Sequence, residues 1–149
     1  MARQHGKPQT VLLLSAMSAV GLAATALLPV AAAQPGTFAT DSRGFIDTPA
    51  RCESPTFAVA IGRTAQSLVA ICVDGRGRYD YRGVRLSDHS VLDAPATATA
   101  DGRFVVDNAG FTYTFSPKEL VIAQGARVVR TEPMAAYIEP RLPDESGAS

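Results

Sequence analysis

The sequence predicts an all-β fold, a small antiparallel β-sandwich or barrel of about seven or eight short strands, preceded by an N-terminal signal-peptide helix. Three observations carry that prediction. Short runs rich in valine, isoleucine, threonine and aromatic residues recur along the chain, separated by Gly, Pro, Asn and Asp turn signals roughly every eight to twelve residues. Beyond residue 33 no stretch places apolar residues at helical spacing. The only cysteines, Cys52 and Cys72, stand on either side of the first strong run, as a cross-link in a small exported domain would.

Export is read from the start of the chain. Arg3, His5 and Lys7 form a basic beginning, Val11 to Val30 is apolar and uncharged, and Ala31-Ala-Ala33 supplies small residues where a signal peptidase cuts. Residues 1–33 therefore read as a signal peptide cleaved before Gln34. The apolar run is also about long enough to span a bilayer, which makes an uncleaved single-pass anchor the alternative. No cysteine follows the run to accept a lipid, and no Arg-Arg pair precedes it. Taking 33 residues from 149 leaves 116, enough for one domain. Arg3 and Lys7 leave with the signal, so fourteen acidic residues face twelve basic ones. A net charge near −2 gives no general electrostatic case for nucleic acid or an anionic membrane.

Residues 34–51, with Gly, Ser, Thr, Asp and two prolines, read as a linker in which Phe45 and Ile46 are able to dock on a domain. The domain itself is expected over 52–138. Thr56 to Gly62 and Ser67 to Val73 are of strand length and β-branched, and Arg63-Thr-Ala-Gln66 joins them as an antiparallel hairpin. Asp74-Gly-Arg-Gly77 offers glycines to a second hairpin turn, and the chain re-enters as Arg78 to Arg82. Tyr79 and Tyr81 then share one face, with Arg78, Asp80 and Arg82 on the other. Val84 and Leu86 have the opposite parity to the tyrosines, so a bulge at Arg82-Gly83 is expected to keep all four on one side.

Further on, Val91 to Pro95 reads as a short strand stopped by proline, and Ala96 to Ala100 as an edge strand or connector. Asp101-Gly102 turns the chain into Arg103 to Asp107, and Asn108-Ala-Gly110 turns it again into Phe111 to Phe115. Phe111, Tyr113 and Phe115 form a period-two stripe expected to be buried, with threonines opposite. Leu120 to Ala123, a turn at Gln124-Gly125, and Ala126 to Thr131 make another hairpin. Met134 to Ile138 supplies a last short strand, and 139–149 reads as a disordered tail.

In an oxidising compartment Cys52 and Cys72 are expected to pair, closing a loop worth roughly 3 kcal/mol; two free buried thiols would suit a cytosolic protein. Signals for chemistry are sparse. His89, the only histidine after residue 33, lies between Asp88 and Ser90, but neighbours on an extended chain point alternately and a triad needs groups converging from separate elements. No Gly-x-Ser-x-Gly elbow is present, and one histidine with two paired cysteines makes no transition-metal set. Asp74, Asp80, Asp101 and Asp107 sit at turns, where Asp is ordinary, beside arginines that would repel calcium. No catalytic residue, metal or cofactor is therefore expected. The best binding candidates are Arg76, Arg78, Tyr79, Tyr81, Arg82 and Arg85, because guanidinium groups grip carboxylate or phosphate and tyrosines add flat contact area. Against this stands a solvated face whose arginines pair with Asp80 or Asp88 while the tyrosines pack inward.

The order Cys52…Arg63-Thr…Ile71-Cys72…Tyr79-x-Tyr81-Arg-Gly…Thr112-Tyr-Thr…Ser116-Pro…Glu132-Pro-Met resembles a group of small exported actinobacterial β-rich proteins of uncharacterised function. The resemblance spans most of 52–139 and implies export without implying a chemistry. Protein-kinase activity is excluded by the lack of a Gly-rich phosphate loop with its Val-Ala-x-Lys strand, of His-Arg-Asp and of Asp-Phe-Gly.

The expectation is an exported, non-catalytic domain, secreted or in the cell envelope, that binds a protein or an anionic ligand. A small secreted hydrolase or an enzyme inhibitor is the alternative, and a purely structural envelope protein is a third reading. Convergent polar groups in a concave pocket would favour an enzyme; a flat aromatic–arginine face would favour binding.

Overall fold

The structure, a computed structural model, describes residues 37–141 together with Gly21. The expected signal helix of residues 1–33, Gly21 apart, and the tail from residue 142 onward lie outside the described residues. The described chain is all β. Two short pieces come first, β1 (Thr40–Asp41) and β2 (Gly44–Phe45), followed by β3 (Phe57–Arg63), β4 (Ser67–Val73), β5 (Tyr79–Arg85) and β6 (Val91–Ala98). The second half supplies β7 (Phe104–Asn108), β8 (Phe111–Phe115), β9 (Glu119–Gln124), β10 (Arg127–Pro133) and β11 (Ala136–Ile138). The eight strands from β3 to β10 run five to eight residues each.

Strands β1 and β2 pair with each other, and the remaining nine form one antiparallel sheet in the order β10-β9-β8-β7-β6-β5-β4-β3-β11. Strands β10 and β11 are consecutive in the chain yet stand at opposite ends of this sheet. The sheet therefore has to curl until its two edges approach, and the result is a half-barrel. Main-chain bonds fix the closure: Met134 N donates to Lys118 O at 2.9 Å and Ala135 N donates to Arg63 O at 2.7 Å. Strand β6 forms the corner. Its first part pairs with β5, and only Thr97 and Ala98 pair with β7. Pro95 does not stop this strand. At that point β6 has no neighbour on the β7 side, where a proline costs no ladder bond.

Two apolar clusters lie on opposite faces of the sheet. The inner one contains Val69, Ile71, Tyr81, Val106, Phe115, Leu120 and Ile122. The other gathers Ile61, Leu68, Ala70, Cys72 and Val84 beneath Phe45, Ala50 and Cys52. Strand β4 contributes to both, alternating between them residue by residue.

The register shows why no bulge occurs at Arg82-Gly83. Pairing of β5 with β4 is continuous from Ser67↔Arg85 to Val73↔Tyr79. Val84 keeps the opposite parity to the tyrosines because it has its own apolar cover on the outer face, as does Leu86 packed beside it. Bulges fall elsewhere, at Val59 in β3 and at Val129 in β10.

The outer cover comes from the segment expected as a linker. From residue 40 it is folded against the sheet. Cys52 N donates to Arg43 O at 2.7 Å, Ala58 N to Ser42 O at 2.9 Å, and Arg43 Nη2 returns to Cys52 O at 2.7 Å. An Arg51–Asp41 ion pair at 2.6 Å closes the turn and holds the Asp41 carboxyl below its usual range. Phe45 is buried, whereas Ile46 stays 40% exposed. The Cys52–Cys72 disulfide, with Cα atoms 5.5 Å apart, ties this cover to β4.

On the inner face, the β8 stripe is buried to different depths. Phe115 is fully enclosed, while Tyr113 and Phe111 are half-buried toward the strand's start. The ring of Phe115 lies on Gly62: a Cβ there would come within 2.5 Å of Phe115 Cε2 and 2.8 Å of Met134 Sδ.

Three outcomes follow for stability, all measured by denaturant unfolding. Phe115→Ala should cost about 3–5 kcal/mol, the scale for emptying an aromatic core position, and Gly62→Ala about 1–3 kcal/mol through overpacking of the same contact. Replacing both cysteines by serine should cost roughly 3 kcal/mol, because the cross-link then no longer restricts the unfolded chain.

Candidate functional site

An antiparallel meander brings alternate strand starts and ends to one side. The start of β4, the end of β5, the start of β6, the end of β7, the start of β8 and the end of β9 all meet at one rim of the half-barrel. A cavity of about 150 Å³ opens there, lined by Ser67, Tyr81, Gly83, Arg85, Ser90, Asn108, Tyr113 and Arg130 among others. It continues into a cleft of about 320 Å³ lined by Arg85, Phe111, Tyr113, Ile122, Val129 and Arg130.

The tyrosines form one wall. Tyr81 and Tyr113 have ring centroids 6.0 Å apart. Tyr81 can lie flat along β5 because Gly83 has no side chain: a Cβ at that position would be 2.5 Å from Tyr81 Cε1. Burial, reinforced by the nearby Glu132 carboxylate, pushes the Tyr81 phenol far above its ordinary range. It stays a neutral hydroxyl at any physiological pH.

The arginines are held by different means. Arg85 reaches Asp88 at 3.2 Å, and both side chains are about half exposed. Asp88 is anchored chiefly by the Ser90 main-chain N–H and then the Ser90 hydroxyl, which hold its carboxyl below the usual range. Arg130 places Nε 2.7 Å from Oε1 of Glu132, whose side chain is 1% exposed. Thr64 Oγ1 donates to the other carboxylate oxygen, Oε2, at 2.5 Å, and itself accepts from Ser67 N at 2.8 Å and Gln66 N at 3.0 Å. Glu132 thus links β10 to the β3–β4 turn and fixes Arg130 at the rim. Among the described residues, the Nη groups of Arg130 have no further protein partner.

The predicted arginine–tyrosine row is divided by this geometry. Tyr81 and Arg85 are at the rim. Arg76, Arg78 and Tyr79 belong to the opposite end of the barrel, where Asp74 accepts from the Arg78 main chain and its guanidinium and has its carboxyl lowered to about 2. Tyr79 packs on Phe104 with centroids 5.2 Å apart. Arg76 has no side-chain partner among the described residues. Arg82 lies on the outer face between Glu53 at 3.4 Å and Asp93 at 3.2 Å.

Arg130, Tyr113, Ser67 and Asn108 enter the site without having been marked in the sequence. One signal was available for Arg130. Arg130 and Glu132 are two apart on a strand, hence on one face, and opposite charges so spaced on an inward face form a pair.

Other polar candidates do not converge. His89, in a left-handed turn conformation with φ 58°, lines a separate outer-face groove of about 470 Å³ with Phe38, Pro49, Leu68, Val84 and Leu86. Asp101 bonds Thr99 and pairs with Arg103 at 2.7 Å, and Asp107 accepts from Thr112 at 2.6 Å. Among the described residues no group of three or more His, Cys, Asp or Glu side chains is placed to hold a metal ion.

The buried link should be visible in stability. Glu132→Ala is expected to cost about 2–3 kcal/mol, less than the 3–5 typical of a fully enclosed pair because Arg130 keeps some access to water. Glu132→Gln, which can still accept from Thr64, should cost less, and urea midpoints of the two variants check the order. Comparison with protein-family models, with curated proteins and with solved structures gave no match.

Proposed function

We propose that this chain is an exported, non-catalytic β-domain of the secreted or envelope space that binds a small anionic ligand at the rim of its half-barrel. One observation carries the reading: Arg85 and Arg130, from strands far apart in sequence, meet at a cavity whose lining contains hydroxyl, phenol and amide groups and no carboxylate. Guanidinium groups and neutral hydroxyls are donors suited to a carboxylate, sulfate or phosphate. A disulfide that staples the fold suits an oxidising compartment.

The cavity is concave, which would also suit an enzyme, but its chemistry favours binding. Hydrolysis needs a base beside the nucleophile. Neither a histidine nor a carboxylate lines the cavity with Ser67 and Ser90, and His89 belongs to the other groove. Glu132 sits behind Arg130 with one oxygen on Thr64 and the other on the guanidinium.

Titration of the full chain with inorganic phosphate, followed by calorimetry or amide chemical shifts, tests this. Binding should weaken at least fivefold in Arg85→Gln and in rising salt, with the melting temperature of the variant unchanged, because the Asp88 pair it loses is exposed. An affinity unaltered by Arg85→Gln would place the anion elsewhere.

A further inference from the structure

Resting on that reading, we propose that the ligand is an amphiphile, a single-chain carboxylate whose head lies between Arg85 and Arg130 and whose alkyl tail lies in the adjoining cleft over Phe111, Ile122 and Val129. The two hollows are one continuous surface, sharing Arg85, Tyr113, Ile122 and Arg130. Their chemistry is graded. The smaller cavity has the hydroxyl and amide groups, whereas the larger adds an aromatic ring and a valine and no further polar group.

The bulge in β10 creates this juxtaposition. Without it, Val129 and Arg130 would point to opposite faces. With Val128 opposite Ala123 and Arg130 opposite Ile122, Val129 is the extra residue, and it lines the cleft next to the guanidinium. A bulge re-aims a side chain in this way at some cost to the ladder. Val129 is left 47% exposed, an apolar group presented to water beside a cation. A ligand with charge at one end and hydrocarbon at the other satisfies both. The larger hollow, at about 320 Å³, lies within the range of about 300–1,000 Å³ usual for small-molecule sites.

The experiment is a homologous series of n-alkyl carboxylates from butanoate to decanoate, each below its micellar concentration, titrated into the full chain and into Val129→Ser. In the native chain each added methylene should tighten binding about two- to fourfold, the upper figure being the equivalent of about 0.8 kcal/mol per buried CH₂. Val129→Ser, on an exposed edge strand, should flatten that dependence while leaving phosphate affinity and melting temperature unchanged. Phosphate binding without any chain-length dependence would overturn the amphiphile and leave the anion site standing. Chain-length dependence unaffected by Val129→Ser would also overturn it, by placing the tail in the outer groove. Failure of phosphate and of every carboxylate to bind would overturn the anion site itself.

Discussion

Strand β4 presents apolar side chains to both sides of the sheet, and the rest of the structure is arranged to keep each side dry. Val69 and Ile71 need cover on one face and Leu68, Ala70 and Cys72 on the other. An open sheet of this size exposes one face to water. Here the inner face is covered by the sheet's own second half, which is why the sheet curls. The outer face is covered by residues 40–52, a segment with little regular structure of its own. Such a segment gains little from burying Phe45 and Ala50 compared with the entropy of ordering it. The disulfide alters that balance by restricting the unfolded chain, and the Arg43 and Arg51 bonds then fix the cover in place.

Curling has a second consequence. In a tightly curved half-barrel an aromatic ring needs backbone free of side chains to lie on, and the two such contacts fall on glycine, one across the barrel and one along the ring's own strand. Gly62 receives the ring of Phe115 and gives depth to the core, while Gly83 receives Tyr81 and leaves the rim hollow. A side chain at either place would push an aromatic ring out of position. The closing edge also carries a polar element into an apolar interior. Glu132 is buried, with Oε2 accepting from Thr64 and Oε1 2.7 Å from Arg130 Nε in an ion pair that makes no hydrogen bond, and the two together offset its desolvation.

Local pattern was legible in the sequence where the physics is local. The hairpin pairs, the Asp74 to Gly77 turn, the inward tyrosines of β5 and the stripe on β8 all follow from period-two alternation and turn chemistry. Two inferences went astray for one shared reason. Reading a single buried face made the parity of Val84 look like a fault to be repaired by a bulge, and made residues 34–51 look like a linker. Each was the signature of a second buried face, and Phe45 with Val84 and Leu86 was its trace. Pro95 misled because whether proline interrupts a strand depends on a neighbour that only the tertiary structure provides. The site was less legible still. Arg85 and Arg130 are brought together by a nine-strand register, and no spacing in the chain encodes that meeting.

The two arginines at the rim are held so differently that they suit different parts in gripping an anion. Glu132 lies 2.7 Å from Nε of Arg130 in an ion pair that breaks only at considerable cost, and Arg130 lines the cavity with no further protein partner for its Nη groups among the described residues. That guanidinium is preorganised, so a ligand gains its bonds without first ordering it. Arg85 is tied to Asp88 in an exposed pair of a kind worth about 0–1 kcal/mol, which an incoming carboxylate displaces at little expense. Asp88 is not stranded by the exchange, because the Ser90 main-chain N–H and hydroxyl still satisfy it. A rigid cation and an adaptable one on the same cavity let the rim keep its shape when empty and close on a charged head when occupied, with the neutral Tyr81 phenol lining that cavity as a third donor.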